Sequence, residues 1–148
     1  MFIIRTAKLS DIPQLVLLLK ALFAIEADFI FDQDKQSCGL GLLLNNDKDC
    51  ILVAELLCES SVLGMCTIQT LISTAEGGRV GLLEDLVVAA DFRHQGIGTE
   101  LLAEAVKWAE RQGLKRLQLL ADKNNEAALS FYEKQGWKST QLVCLRKS

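Results

Sequence analysis

The chain has 148 residues, half of them hydrophobic, and a net charge of −3. With a pI near 5.2 and no lysine or arginine cluster it lacks a nucleic-acid footprint, and its length suits one domain, residues 1–148, with a sizeable core. The most apolar stretch, residues 15–25, is interrupted by Lys20 and falls short of the ~20 residues a membrane span needs; the N-terminus lacks a basic start and a cleavage site, so no export signal is expected and the cytoplasm is the expected location.

Five cysteines, Cys38, Cys50, Cys58, Cys66 and Cys144, show no Cys-x-x-Cys spacing, and there is one histidine. That odd set predicts no metal centre and no disulfide framework, only free buried thiols.

Residues 2–5 read as a short strand. Ser10-Asp11-Ile12-Pro13 reads as a helix start, with a cap hydroxyl, an early acid and a proline confined to the first turn. The helix then presents Ile12, Leu15, Val16, Leu19, Leu22 and Phe23 along one face. Glu26, Asp28, Asp32 and Asp34 cluster among Phe29, Ile30 and Phe31, and residues 40–44 suggest a second short helix ending near Asn45-Asn46.

Three strands are expected at residues 51–58, 62–71 and 79–88. Glu59-Ser60-Ser61 and Glu76-Gly77-Gly78 are hairpin turns, so these strands are antiparallel neighbours. In the third, alternation sets Glu84, Leu86 and Val88 on one face and Asp85 and Val87 on the other. Adjacent carboxylates in an apolar strand are costly to bury, so at least one should meet a wet cleft, or a cation such as Arg79 or Lys115.

The strand leads through Arg93-His94-Gln95-Gly96-Ile97-Gly98 into an amphipathic helix that turns Ile97, Leu101, Leu102, Ala105, Trp108 and Ala109 inward and closes at Gly113. Glycines at a strand-to-helix junction admit main-chain N–H groups to a ligand, and the first helical turn adds unpaired donors and a partial positive end. Such a junction suits an anionic phosphate. Leu101 stands where a dinucleotide fingerprint needs a small residue, and Gly98 is followed by Thr99 rather than the lysine of a P-loop. Further on come a strand at residues 116–121, a helix at 126–135 capped by Asn124-Asn125, and a strand pair at 137–139 and 142–146. The order βααβββαβαββ describes an α/β fold with a mixed sheet and helices on both faces.

Arg93 to Gly98 resembles the pyrophosphate-binding loop of the GNAT superfamily of acyl-CoA N-acyltransferases. Leu86-Val87-Val88 is similar to the family strand that pairs with the pantetheine arm, and the run from Asn125 through Ala128, Phe131 and Tyr132 to Gly136-Trp137 resembles the family's Asn-x-x-Ala-x-x-Phe-Tyr segment. Glu84-Asp85 ahead of the loop looks particularly like the diamine acetyltransferase branch. The resemblance implies a mostly antiparallel N-terminal half with a parallel, splayed centre, and acetyl-CoA as co-substrate without a metal. It implies CoA contacts at Leu86, Val87, Val88, Arg93, His94, Gln95, Gly96, Ile97, Gly98, Thr99, Asn125, Ala128 and Tyr132.

The chemistry it implies is acetyl transfer to a primary amine by direct attack. Glu84 is the candidate base, acting directly or through water, and Tyr132 the candidate acid to the CoA thiolate. A packing tyrosine explains Tyr132 equally as a residue type. In the family the acceptor docks between the first two helices and the sheet, where Glu26, Asp28, Phe29, Glu84 and Asp85 suit a small cationic amine. A peptide or protein amine, and a non-catalytic acyl-CoA sensor, are the alternatives. Many family members dimerise, and the apolar last strand ending at Leu145 suits that.

Overall fold

The computed structural model describes residues 1–148, which form two compact units, Met1–Gln118 and Leu119–Ser148. The strands β1 (Phe2–Thr6), β2 (Cys50–Leu56), β3 (Ser61–Ser73), β4 (Gly78–Val88) and β5 (Leu117–Leu119) form a sheet in sequence order. The first four are antiparallel neighbours, Ile4 opposite Ala54, Leu52 opposite Cys66 and Ile68 opposite Leu83. β5 runs parallel to β4, with Lys115 N–H donating to Arg79 O and Gly81 N–H to Arg116 O, both at rising residue numbers. Three residues of β5 flank only the first half of the eleven-residue β4, so the sheet is mixed and opens toward Val88.

α1 (Ile12–Ile25) and α2 (Gln33–Leu44) cover one face of the sheet. Leu15, Val16, Leu19 and Leu22 follow the expected stripe and pack with Leu40, Val53, Met65 and Val87. α3 (Ile97–Arg111) covers the opposite face, burying Ile97, Leu101, Leu102, Ala105, Trp108 and Ala109. At Gly64 a Cβ would stand 3.2 Å from Leu101 Cδ1, whereas its neighbour Met65 points into the α1 side. The pleat thus divides β3 between two cores.

Local chemistry moved several boundaries. No Ser10 hydroxyl caps α1; a 3-10 turn, Leu9–Asp11, precedes it, and Pro13 occupies its first turn. The Asp11 carboxylate instead accepts Lys8 N–H at 2.7 Å. α2 starts seven residues before the expected apolar run, because Asp32 Oδ1 accepts the N–H groups of Asp34 and Lys35 and so fixes its first turn. No helix is long and apolar enough to cross a membrane.

In the second unit α4 (Glu126–Lys134) is capped by Asn125, whose Oδ1 accepts Ala128 N–H at 3.1 Å. The expected strand pair at 137–139 and 142–146 does not form; these residues carry no regular structure, and Leu142, Val143 and Leu145 are more than four-fifths exposed. An apolar run becomes a strand only when a neighbour accepts its main-chain hydrogen bonds, and these residues lack the alternation that would bury one face. The strand on which self-association was expected is therefore absent. Cys50 and Cys66 are buried, but Cys38, Cys58 and Cys144 are exposed, which corrects the expectation that all the thiols are internal.

Candidate active site

β4 is the element that positions the candidate residues of the first unit. Between the pairs Thr67–Glu84 and Met65–Val87, β3 spends one residue and β4 spends two, so β4 carries a bulge at Asp85 and Leu86. Asp85 has φ +54, a left-handed conformation that aspartate tolerates better than most side chains. The strict alternation expected from sequence fails here. Glu84 and Asp85 line the same cavity instead of opposite faces, because the extra residue returns the pleat to the same side.

That cavity, of about 580 Å³, lies beneath α1 and α2 with Phe23, Phe29, Leu40 and Gln69 among its lining. The rings of Phe23 and Phe29 pack 5.3 Å apart. Asp49, also on its wall, accepts Thr70 N–H through Oδ1 at 3.0 Å. Of the expected acceptor-binding residues, Phe29, Glu84 and Asp85 line it; Glu26 and Asp28 do not, standing at the end of α1 and in the following turn.

Neither Arg79 nor Lys115 forms a salt bridge with the carboxylates; the Lys115 stem lies against Gly78. The fully buried Thr67 hydroxyl lies 3.2 Å from Glu84 O and 3.4 Å from Asp85 Oδ2. Burial, then the charge of Glu84, push the Asp85 carboxyl up to about 6, with the Thr67 hydrogen bond opposing them. Glu84 is the base expected from the sequence, and no signal in one strand reports a bulge that exists only against its partner.

At the far end of β4, Ala89 N–H donates to Leu63 O at 2.7 Å. Main-chain direction alternates, so Val87 also faces β3, while Leu86 and Val88 direct their N–H and C=O groups to the opposite edge. Val88 O accepts from Arg93 Nε at 3.1 Å, which ties the loop to the strand. His94 at φ +64 and Gly96 at φ +85 then curl the chain into α3. Glu100 N–H makes a helical bond to Gly96 O, and the amides of Ile97 and Gly98 precede it, so neither has an acceptor one turn back. His94, Gln95, Gly96 and Thr99 are exposed beside them.

The second unit holds Asn125, Ala128 and Tyr132 on or before α4. Tyr132 packs edge-on against Phe131 and Trp137, with ring centroids 5.5 and 6.3 Å away. Its carbonyl accepts the N–H groups of Gln135 and Trp137, both at 3.0 Å, and Gly136 at φ +90 makes the reversal that brings Trp137 back.

The buried cysteines are poor nucleophiles. Burial pushes the Cys50 thiol up to about 12 and raises that of Cys66 further, so neither presents a thiolate at neutral pH.

A mixed sheet that opens beside a glycine-curled helix start, with a carboxylate-lined cavity on the other face, defines an α/β acyltransferase architecture. The chain belongs to the Acetyltransferase (GNAT) family, whose model matches residues 17–137. It is 33% identical over 94 residues to an uncharacterized N-acetyltransferase of Archaeoglobus fulgidus, covering 63% of each chain. It is 30% identical over 106 residues to an acetyltransferase of Pectobacterium atrosepticum, covering 70% of this chain and 68% of that one. Among solved structures, an aminoglycoside acetyltransferase from an uncultured soil metagenomic sample superimposes with a TM-score of 0.81 at 26% identity, over 99% of this chain and 95% of that one. Matches to several curated relatives are partial: the chain spans from 31% to 63% of the length of three of them.

Proposed function

We propose that this chain is an acetyl-CoA-dependent N-acetyltransferase that moves the acetyl group to a primary amine by direct attack. The observation that carries the amine side is the cavity beside β4, where the carboxylates of Asp49, Glu84 and Asp85 line the wall with Phe23 and Phe29. A primary amine has a pKa of about 10 and is mostly cationic at neutral pH. Carboxylates attract the ammonium and accept its proton, with Glu84 the residue favoured by sequence, while the rings shield it from water.

Family membership and the loop support the donor side. The free edge of Leu86 and Val88 suits an amide-rich arm held as an added strand, and the amides of Ile97 and Gly98 suit a diphosphate. Arg93 holds the loop against Val88; His94, Gln95, Gly96 and Thr99 lie along the same path. The geometry leaves room for the group: at Gly96 no atom stands within 4 Å of where a Cβ would be. A main-chain N–H at this edge polarises the thioester carbonyl. Tyr132, with Asn125 and Ala128 on its helix, supplies the acid that protonates the departing thiolate.

The acceptor we favour is a small cationic amine of the diamine or aminoglycoside kind. A solved aminoglycoside acetyltransferase from the same soil metagenomic sample, in complex with sisomicin, has a TM-score of 0.80 at 25% identity, and the acidic, aromatic lining suits such a ligand. Five cysteines in no disulfide fit a reducing compartment such as the cytoplasm. The test is a panel of amines at fixed acetyl-CoA, read by mass gain of the amine and by thiol release. Acetylated small amines support the reading; acetylation of peptides alone shifts the acceptor class, and binding of acetyl-CoA without turnover on any amine overturns it.

A further inference from the structure

Resting on the reading above, we infer that the α2 side of the cavity reads hydroxyl groups, so that the acceptor is a hydroxylated amine, such as an amine carried on a sugar ring, and not a linear diamine. The cavity has two unlike sides. Its floor is the sheet, with the carboxylates of Glu84 and Asp85 on β4 and of Asp49, which Thr70 N–H ties to β3 through Oδ1 at 3.0 Å. The α2 side contributes Lys35, Gln36 and, just past the helix, Asn46.

What that side offers is donors. Gln36 Oε1 accepts Asp32 N–H at 2.6 Å and Asn46 Oδ1 accepts Lys48 N–H at 3.1 Å, bonds that fix which end of each amide is oxygen. Their NH2 groups are left without a partner in the protein. The Lys35 ammonium enters none of the salt bridges, although carboxylates line the same cavity.

A linear diamine matches only the floor. Its nitrogens are ammonium groups that donate and its chain is methylene, so it brings no acceptor to Lys35, Gln36 or Asn46 and would cut them off from water unpaired. Hydroxyl oxygens both accept and donate. A hydroxylated amine turns its ammonium to the floor and its oxygens to α2. Gln69 on β3, whose carboxamide also lacks a partner, adds a donor and an acceptor to the same cavity.

Gly39 is an independent argument. It lies inside α2 on the cavity wall, where glycine weakens a helix relative to alanine. No packing calls for it, since no atom stands within 4 Å of where a Cβ would be. It follows Lys35 by four residues and Gln36 by three, which sets it on their side of the helix. Room for a bulky ligand beside the donors accounts for the missing side chain. The cavity, about 580 Å³, falls within the ~300–1,000 Å³ of sites for drug-sized ligands, and 1,4-diaminobutane would leave most of it to water.

The test is acetylation, at fixed acetyl-CoA, of glucosamine and sisomicin, which carry hydroxyls, and of cyclohexylamine and 1,4-diaminobutane, which do not. The hydroxylated pair is expected to show kcat/KM higher by roughly 10-fold or more, the worth of two neutral hydrogen bonds. Gln69→Leu lowers the ratio of glucosamine to cyclohexylamine roughly 3- to 10-fold. Gly39→Leu lowers kcat/KM for sisomicin more than for 1,4-diaminobutane; should that variant fail to fold, Gly39→Ala, which favours the helix, shows the same order on a smaller scale. A linear diamine used as well as the hydroxylated amines overturns the inference. So does a Gln69→Leu ratio equal to wild type, or an equal loss on both amines at Gly39.

A second measurement does not depend on turnover. The side-chain NH2 signals of Gln36, Asn46 and Gln69 are followed by nitrogen NMR, assigned by their loss in Gln36→Glu, Asn46→Asp and Gln69→Leu, the first two of which keep the oxygen that accepts from the backbone. Glucosamine and sisomicin are expected to move these signals, and 1,4-diaminobutane to leave them in place. Signals that ignore the hydroxylated amines, or that follow the diamine equally, overturn the inference even where acetylated product forms. Signals that respond while no amine is ever acetylated overturn the acetyltransferase reading and leave α2 as a hydroxyl-binding wall.

Discussion

Arg5 grips Asp11 through both terminal nitrogens, Nη1 to Oδ2 at 2.8 Å and Nη2 to Oδ1 at 3.0 Å, and its Nε donates to Glu55 Oε2 at 2.7 Å. One guanidinium thus ties β1 to β2 and to the turn that opens α1. Asp11 is 4% exposed, so the pair depends on its bidentate geometry to offset the loss of water. The guanidinium holds the Asp11 carboxyl below the usual range, against the opposing effect of burial.

Asp11→Ala strands this part of Arg5 and the Lys8 amide. The expected loss at pH 7 is about 3 kcal/mol, typical of breaking one side of a buried pair. Because the folded carboxyl titrates below the unfolded one, its contribution is present above the unfolded value and is lost as pH falls through the folded value. Urea unfolding should show wild type and variant converging in acid. A gap that stays constant down to pH 2 would remove the ion pair as its source.

Asp85 carries the opposite sign. Its folded carboxyl holds the proton up to about 6, against 3.8 in the reference state, so its contribution is fully present below 3.8 and is lost as pH rises through 6. Above that the native state bears a cost on the order of 3 kcal/mol, from about 1.4 kcal/mol per pH unit. Asp85→Asn, which keeps a side chain that tolerates φ > 0, should raise stability at pH 8 by roughly 1–3 kcal/mol and change it little at pH 4. Equal effects at the two pH values would contradict this.

Gly64 sits where β3 passes between its partner strand and α3. A methyl there meets Val87 O at 3.0 Å and Leu101 Cδ1 at 3.2 Å. The carbonyl belongs to a ladder and yields little, so Gly64→Ala should cost about 1–3 kcal/mol. Thermal unfolding checks it; a variant as stable as wild type shows that α3 and β4 move apart freely.

Tyr132→Phe removes one hydroxyl from an aromatic cluster that its ring continues to fill. If the phenol protonates the thiolate, turnover falls roughly 10²- to 10⁴-fold while the acetyl-CoA dissociation constant hardly changes. Steady-state rates with isothermal titration of acetyl-CoA separate the two. Unchanged turnover would take Tyr132 out of the chemistry.

Much of the framework was legible in local sequence. The α1 stripe, the two hairpin turns, the Gly96 junction and the inward face of α3 each follow from spacings of two to four residues and from turn chemistry. Motif comparison extended this to the family. The same local reading overreached at residues 142–146, where an apolar run found no strand partner, and at Ser10, whose expected cap position fell within a 3-10 turn. It also set Glu84 and Asp85 on opposite faces, since alternation assumes an unbroken pleat.

The sequence by itself determined that α1, α3, α4 and the first four strands form and which residue types gather near the central loop, because those depend on neighbours along the chain. Only the tertiary structure decided that β4 bulges against β3 at Asp85, that both carboxylates enter one cavity under α1 and α2, and that Arg5 finds Asp11 and Glu55. Register and ion pairing join residues far apart in sequence, and their energies depend on burial and distance, which exist only once the chain has folded.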